Sequence, residues 1–402
     1  MASVFGWVDF DDSDRRRMRE IIDLLREQDT RDELGIATIR DALSERFFPG
    51  IIVIQTRARY FLFLPWMYLD LERRRPIADA DRKVRQLEMK LLNVLLAAGE
   101  KKGVIGSSSR EKLKRLPSSI YWARLATWGV RRFSGSHEAY HELLSREPEA
   151  RDDRLGDDDR ESANARLKPN WDPSLPAPPP DWKQNTGLAL TREEAEYLRG
   201  RISLLKPRPL LAHLIEECAP TGDDVPYAWM HPEWASLPED LAAELEHARN
   251  FAEVMHGASI LYNLMLAEKS RNEDQIARYN DRLGSWGEEM SSRDDVLNSW
   301  SRADFWKLVQ LSGGRVHVMT ERFVNGWLDL ALGGAGPRQL GMNPAARDLI
   351  RRREAQIKGA RARLSNDEML LRWSGAAGTR RLDYRWSTAR DIVNDILHGL
   401  GR

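Results

Sequence analysis

The chain has 402 residues, 42% hydrophobic and 31% charged, and its 62 basic and 62 acidic side chains cancel. That length suits a large buried core, and the zero net charge excludes a uniformly basic nucleic-acid coat while leaving room for local patches. A lone cysteine, Cys218, excludes an internal disulfide and any zinc site built on several thiolates, and it fits a reducing compartment.

Along the chain, the first residues reach Asp9, Asp11 and Asp12 before any long apolar run, so no signal peptide is expected. The stretch Met18–Phe47 has a helix–Gly35–helix look, but its connection from Gln28 to Gly35 is longer than the turn of a helix-turn-helix. Ile51–Ile54 favour a strand. From Gln55 to Leu64 the chain reads better as a buried helix kinked at Pro65, and helix is the expectation for Ile51–Leu71. Val84, Leu87, Leu91 and Leu95 recur at helical spacing, with Asp79 as N-cap and Gly99 as the end. The most apolar runs, Tyr60–Leu69 and Leu91–Ala98, are far shorter than the roughly 18–20 residues that span a bilayer. No membrane partner and a cytoplasmic location are expected.

Lys101 to Phe133 carries nine basic residues against Glu111 alone, interleaved with aromatic rings. Lys101, Lys102, Arg110, Lys112, Lys114, Arg115, Arg124, Arg131 and Arg132 are candidate phosphate contacts, and Tyr121 and Trp122 candidate stacking platforms for unpaired bases. The competing reading is a solvated face answering the acidic stretch that follows. A second basic stretch runs from Arg347 to Arg390, with twelve basic residues against five acids. Between Glu138 and Glu161 ten acids face four arginines, and seven prolines fall between Pro148 and Thr186. Such a segment buries too little apolar surface to order itself. The expected organisation is an N-terminal helical unit over 1–147, an acidic, proline-rich linker or surface loop over 148–186, and a C-terminal helical unit over 187–402.

Further helix starts are Thr191 with Glu194 and Ser236 with Glu239, both capping boxes, then Asn343-Pro344 and Thr388 with Asp391. Only Arg315–Met319 and Leu382–Trp386 alternate like strands. The expected fold is mainly α, a multi-helix body with few short strands and a long loop between two halves.

His137-Glu-Ala-Tyr-His141 matches H-E-x-x-H, the pattern that grips zinc from one helix face. It sits in the first turn of its helix, and the downstream Glu161 lies in the acidic stretch, so a solvated helix is expected instead. Asp79, Asp81, Lys83, Glu88 and Lys90 resemble a nuclease D…E-x-K arrangement, which requires a strand hairpin where this segment reads as helix. No phosphate-cradling G-x-x-x-x-G-K-[ST] and no G-x-S-x-G elbow is present. The remaining histidines are scattered. No catalytic residue, no metal ligand and no cofactor is assigned.

Phe5-Gly-Trp-Val-Asp-Phe10, Arg31-Asp-Glu-Leu-Gly-Ile36, Phe48-Pro-Gly50, Gln55-Thr-Arg-Ala-Arg-Tyr-Phe-Leu-Phe63 with Pro65-Trp66, and Leu382-Asp-Tyr-Arg-Trp386 together resemble an uncharacterised bacterial family, a domain of unknown function, over nearly the whole chain. The resemblance implies genomic company with helicase-like and nuclease-like genes of phage-defence islands, and it carries no activity onto any residue. The expected function is a non-catalytic subunit of a multi-component bacterial anti-phage defence or DNA-processing complex. Such a subunit contacts nucleic acid or bridges helicase-like or nuclease-like protein partners. The alternative is a metal-dependent hydrolase or nuclease whose site is not visible as a linear motif.

Overall fold

The computed structural model describes residues 32–147, 169–333 and 337–402. The Phe5–Phe10 motif, the first half of Met18–Phe47 and residues 148–168 of the expected acidic loop lie outside the described residues. Two compact units emerge. One is formed by Ser44–Ala242 with Asp383–Arg402, the other by residues 32–43 with Ala243–Leu382. Each draws residues from both sides of the proline-rich stretch.

The described residues form helices and single helical turns, and no β-strand. The one sheet-type pairing among them is an isolated antiparallel bridge between Arg131 and Trp171. The expected short strands are therefore absent, for local reasons. In Leu382–Trp386, Tyr384 and Arg385 take left-handed φ values of 51° and 67°, which no strand tolerates, and the helix Trp386–Gly399 starts there. In Arg315–Met319, His317 accepts the Met319 N–H (3.2 Å) and caps the helix Val318–Ala331.

In the first unit the helix Tyr60–Glu72 is apolar all round and almost wholly buried, as a helix at the centre of a core must be. Helix therefore holds only from Tyr60; Ile51–Arg59 runs through turns. Phe61 stacks on Trp128 (3.8 Å between centroids), Phe63 on Trp182 and Tyr68 on Trp171. Residues 169–186 thus contribute two tryptophans to this core. Each such side chain is worth roughly 2–3 kcal/mol of burial. Asp79 caps Ala80–Ala97 by accepting the Arg82 N–H (2.9 Å). The Thr191–Glu194 capping box forms in full, and buried Glu194 also binds buried Arg59 at 2.8 Å. Ser236 does not cap: its hydroxyl donates to the Glu233 carbonyl (2.7 Å), and the next helix begins at Glu239, after Pro238. Thr388 lies inside its helix, which opens two residues earlier.

In the second unit, the helices Glu273–Ser291 and Pro337–Met342 pack together, as do Val318–Ala331 and Pro344–Lys358. Asn343 caps the last of these, with Pro344 at its first position. Gly257 admits the Trp286 ring so closely that a Cβ there would lie 2.5 Å from it. His256 is half-buried and its Nε2–H donates to the Thr379 carbonyl (3.1 Å), a structural use of the ring. No helix among the described residues is long and apolar enough to cross a membrane.

Candidate metal centre

Within the first unit, the short helix Leu210–Glu217 buries Leu210, Leu211, Ala212, His213, Leu214 and Ile215 and ends at Cys218, whose thiol is turned into the protein. From there the chain passes Pro220, turns at Asp223 and Asp224, passes Pro226, makes a single helical turn at Ala228–Met230, and reaches buried His231. The Ala219 N–H donates to a Glu233 carboxylate oxygen (3.3 Å), which ties the two ends of this loop together. The His231 Nδ1 accepts the Glu233 N–H (3.2 Å). As a result one ligand atom each of Cys218, His231 and Glu233 lies within 4.8 Å of the others.

The electrostatics of the cluster favour a cation. Burial pushes the Cys218 thiol up to about 12, and Glu233 and Glu217 push it the same way. Burial holds His231 below the usual imidazole range. The thiol therefore keeps its proton beside a carboxylate unless a cation displaces it. Around a tetrahedral zinc ion, donors sit about 3.3–3.5 Å apart, the scale of this cluster. His213 lies one turn before Glu217 on the same helix. It is buried, neither ring nitrogen has a hydrogen-bond partner, and burial depresses its pKa while Glu216, Glu217 and Glu233 act in the opposite sense. A buried imidazole without partners is uncommon.

Sequence reasoning passes over this cluster because it spreads across a proline-bounded loop. The spacing Cys218-x12-His231-x-Glu233 is the signal that marks it.

His137 and His141 do come together, with ring centroids 4.2 Å apart, but not on a solvated helix. His141 is buried. Its Nδ1 meets Asp81 (2.6 Å), and its Nε2 and that of His137 both meet the Tyr68 hydroxyl, at 3.0 and 2.6 Å. In the tautomer whose Nδ1–H donates to the Asp81 carboxylate, the His141 Nε2 accepts from Tyr68, whose oxygen in turn accepts the His137 Nε2–H. Burial lowers His137 to about 4, which keeps it neutral. Glu138 is exposed. The pair is part of an internal hydrogen-bond chain with Tyr68 and Asp81.

The basic segment splits in three. Lys101, Lys102, Arg110, Lys112, Lys114 and Arg115 are exposed, and of these only Lys102 meets an acid among the described residues, Asp223 at 3.8 Å. Three arginines are structural. Arg124 pairs with Glu45 (3.3 Å), Arg132 with Asp172 (2.7 Å), and Arg131 is buried, donating to the carbonyls of Trp122, Phe133 and Gly135. Tyr121 and Trp122 belong to the core, 0% and 6% exposed, so neither offers a face to a base. The helix Pro117–Thr127 turns its aromatic side inward, against Tyr60, Phe61 and Tyr68.

No curated protein and no solved structure matches this chain. A family model described as a family of unknown function, DUF6361, matches residues 2–398. The motifs from Arg31 to Trp386 that resemble an uncharacterised family thus have their place: the chain belongs to the DUF6361 family.

Proposed function

We propose that the chain is a metal-dependent hydrolase in which Cys218, His231 and Glu233 hold one zinc-class divalent ion. The convergence of a sulfur, a nitrogen and an oxygen donor within 4.8 Å carries this reading. Such a mixed set suits zinc better than magnesium or calcium, which prefer oxygen alone. The thiolate and carboxylate together balance two positive charges, as a buried site requires. Three protein ligands leave a fourth position for water, the pattern of hydrolytic rather than purely structural centres. A bound ion there supplies Lewis acidity and an activated water. His213 decides the matter, because an imidazole that closes the fourth position makes the site structural.

The test is metal analysis of protein purified without added metal, combined with hydrolysis of phosphodiester and ester substrates with and without chelator. The expectation is bound metal and chelator-sensitive hydrolysis, with the metal held more weakly and the hydrolysis lost in Glu233→Gln. Metal without hydrolysis, held more weakly in His213→Ala, overturns the hydrolase.

A second reading is supported by the exposed cations Lys101, Arg110, Lys112, Lys114 and Arg115, which have no ion pair among the described residues. Their segment adjoins the loop between Cys218 and His231 through Lys102 and Asp223. This favours contact with nucleic acid, either as the hydrolase's substrate or by a non-catalytic subunit of a cytoplasmic bacterial defence or DNA-processing complex. Salt-sensitive binding of DNA or RNA without cleavage supports the non-catalytic subunit.

A further inference from the structure

We propose that the cleft beside the C-terminal end of the helix Pro344–Lys358 binds the phosphate or pyrophosphate group of a small molecule. It lies in the second unit and does not depend on the metal centre. The cleft measures about 460 Å³ and is lined by Lys358, Arg361, Arg363 and Arg372 together with Asp32 and Glu33. Four cations thus face two carboxylates, and both carboxylates are already engaged. Asp32 accepts the backbone N–H groups of Ile36 and Ala37 (2.8 Å each), where it starts the helix from Ala37. Buried Glu33 pairs with Lys358 and with Arg363 (2.9 Å). Beneath them fully buried Glu354 accepts from Tyr262, from Lys358 (3.2 Å) and from the backbone N–H groups of Arg363 and Leu364 (2.9 Å each). These bonds hold Lys358 and Arg363 in place as one wall.

Arg361 and Arg372 are the free components. Both are exposed, and neither guanidinium group has an ion-pair or hydrogen-bond partner among the described residues. Elsewhere in this basic stretch the arginines are spent: Arg347 on Glu268 (2.6 Å), Arg352 on Asp348 (2.7 Å) and Arg381 on Glu289 (2.5 Å). The excess positive charge of the stretch is therefore concentrated at this cleft. Guanidinium groups match phosphate oxygens in paired hydrogen bonds, and here two exposed guanidinium groups join two cations held by Glu33 and Glu354. The volume falls in the range of small-molecule sites, roughly 300–1,000 Å³. The cations converge on one cleft instead of following a track, which suits a single phosphate group over a polymer backbone. Met369 adds an apolar contact at the edge.

Calorimetric titration of the full chain with inorganic phosphate, pyrophosphate and ATP at low salt tests this. The expected result is saturable one-to-one binding of pyrophosphate or ATP, with sulfate at equal ionic strength a poor competitor. The double variant Arg361→Glu/Arg372→Glu should weaken binding about tenfold or more, as two charge-assisted contacts are lost, and leave the melting temperature unchanged. The triple variant Lys112→Glu/Lys114→Glu/Arg115→Glu should bind as the wild type does. Absence of saturable binding overturns the proposal. So does binding that survives the double variant, or that disappears in the triple variant and therefore belongs to the other basic segment.

Discussion

Replacing Glu88 with glutamine should flatten the pH dependence of stability in the unit that carries the metal centre. Glu88 lies on the helix Ala80–Ala97, 1% exposed, and accepts the Ser118 N–H (2.6 Å) and hydroxyl (3.1 Å). Burial raises its pKa from 4.5 to about 8, against the pull of those two bonds. An unfolded chain releases this proton near pH 4.5 and the folded chain only near pH 8. Between these values the folded state binds more protons, so stability falls as pH rises and levels off above about pH 8. At about 1.4 kcal/mol per pH unit of full proton difference, the loss between pH 5 and pH 7 comes to about 2.5 kcal/mol. A glutamine keeps both bonds to Ser118, since its oxygen accepts and its amide donates to the hydroxyl, and it brings no charge to bury. Urea unfolding followed by tryptophan fluorescence at pH 5, 6, 7 and 8 reads the effect. The stability of Glu88→Gln relative to wild type should grow by about 2.5 kcal/mol from pH 5 to pH 7. A variant less stable than wild type at pH 7, or a difference that does not change with pH, refutes this. Ser118 and the helix N-terminus would then hold the carboxylate ionised.

Other substitutions probe the packing. Glu194→Ala strands buried Arg59 and opens the Thr191 cap, so it should cost about 3–5 kcal/mol in urea unfolding. Gly257→Ala drives a methyl into the Trp286 ring and should cost about 1–3 kcal/mol, seen as a lowered melting temperature. Trp122→Ala should destabilise by about 3–5 kcal/mol, because the ring is core. The triple variant at Lys112, Lys114 and Arg115 should leave stability within about 0.5 kcal/mol of wild type while weakening any salt-dependent nucleic-acid binding.

Caps that depend on neighbours alone are legible in the sequence. Asp79, Thr191 and Asn343 each bond to a backbone N–H within three residues, so the residue type and its spacing suffice. Ser236 and Thr388 have the same chemistry but do not cap: Ser236 gives its hydroxyl to the Glu233 carbonyl, and Thr388 loses to tertiary packing. The last helix starts where buried Tyr384 and the Trp386 indole, bonded to the Val225 carbonyl (2.8 Å), pin the chain. The basic-aromatic pattern of Lys101–Phe133 misleads for a related reason. A helix with aromatic residues facing the core and a cationic loop in front of it produces the same string as a stacking surface. His137 and His141 are legible as an i, i+4 pair, but Tyr68 and Asp81, to which they bond, are distant in sequence. The Cys218, His231 and Glu233 cluster depends on a loop that folds back so that Ala219 reaches Glu233, and no local periodicity announces that closure.

Cobalt(II) titration of the full chain tests the metal centre most directly, because a thiolate ligand to cobalt produces a charge-transfer absorption that nitrogen and oxygen ligands do not. One equivalent of cobalt should bind with that band and be displaced by zinc. The band should be abolished in Cys218→Ser and weakened in His231→Ala and Glu233→Gln, each confirmed folded by circular dichroism. It should be unchanged in His137→Ala/His141→Ala. Cobalt bound without the thiolate band, or a band that needs His137 and His141, contradicts it, as does failure of the folded protein to bind cobalt at all.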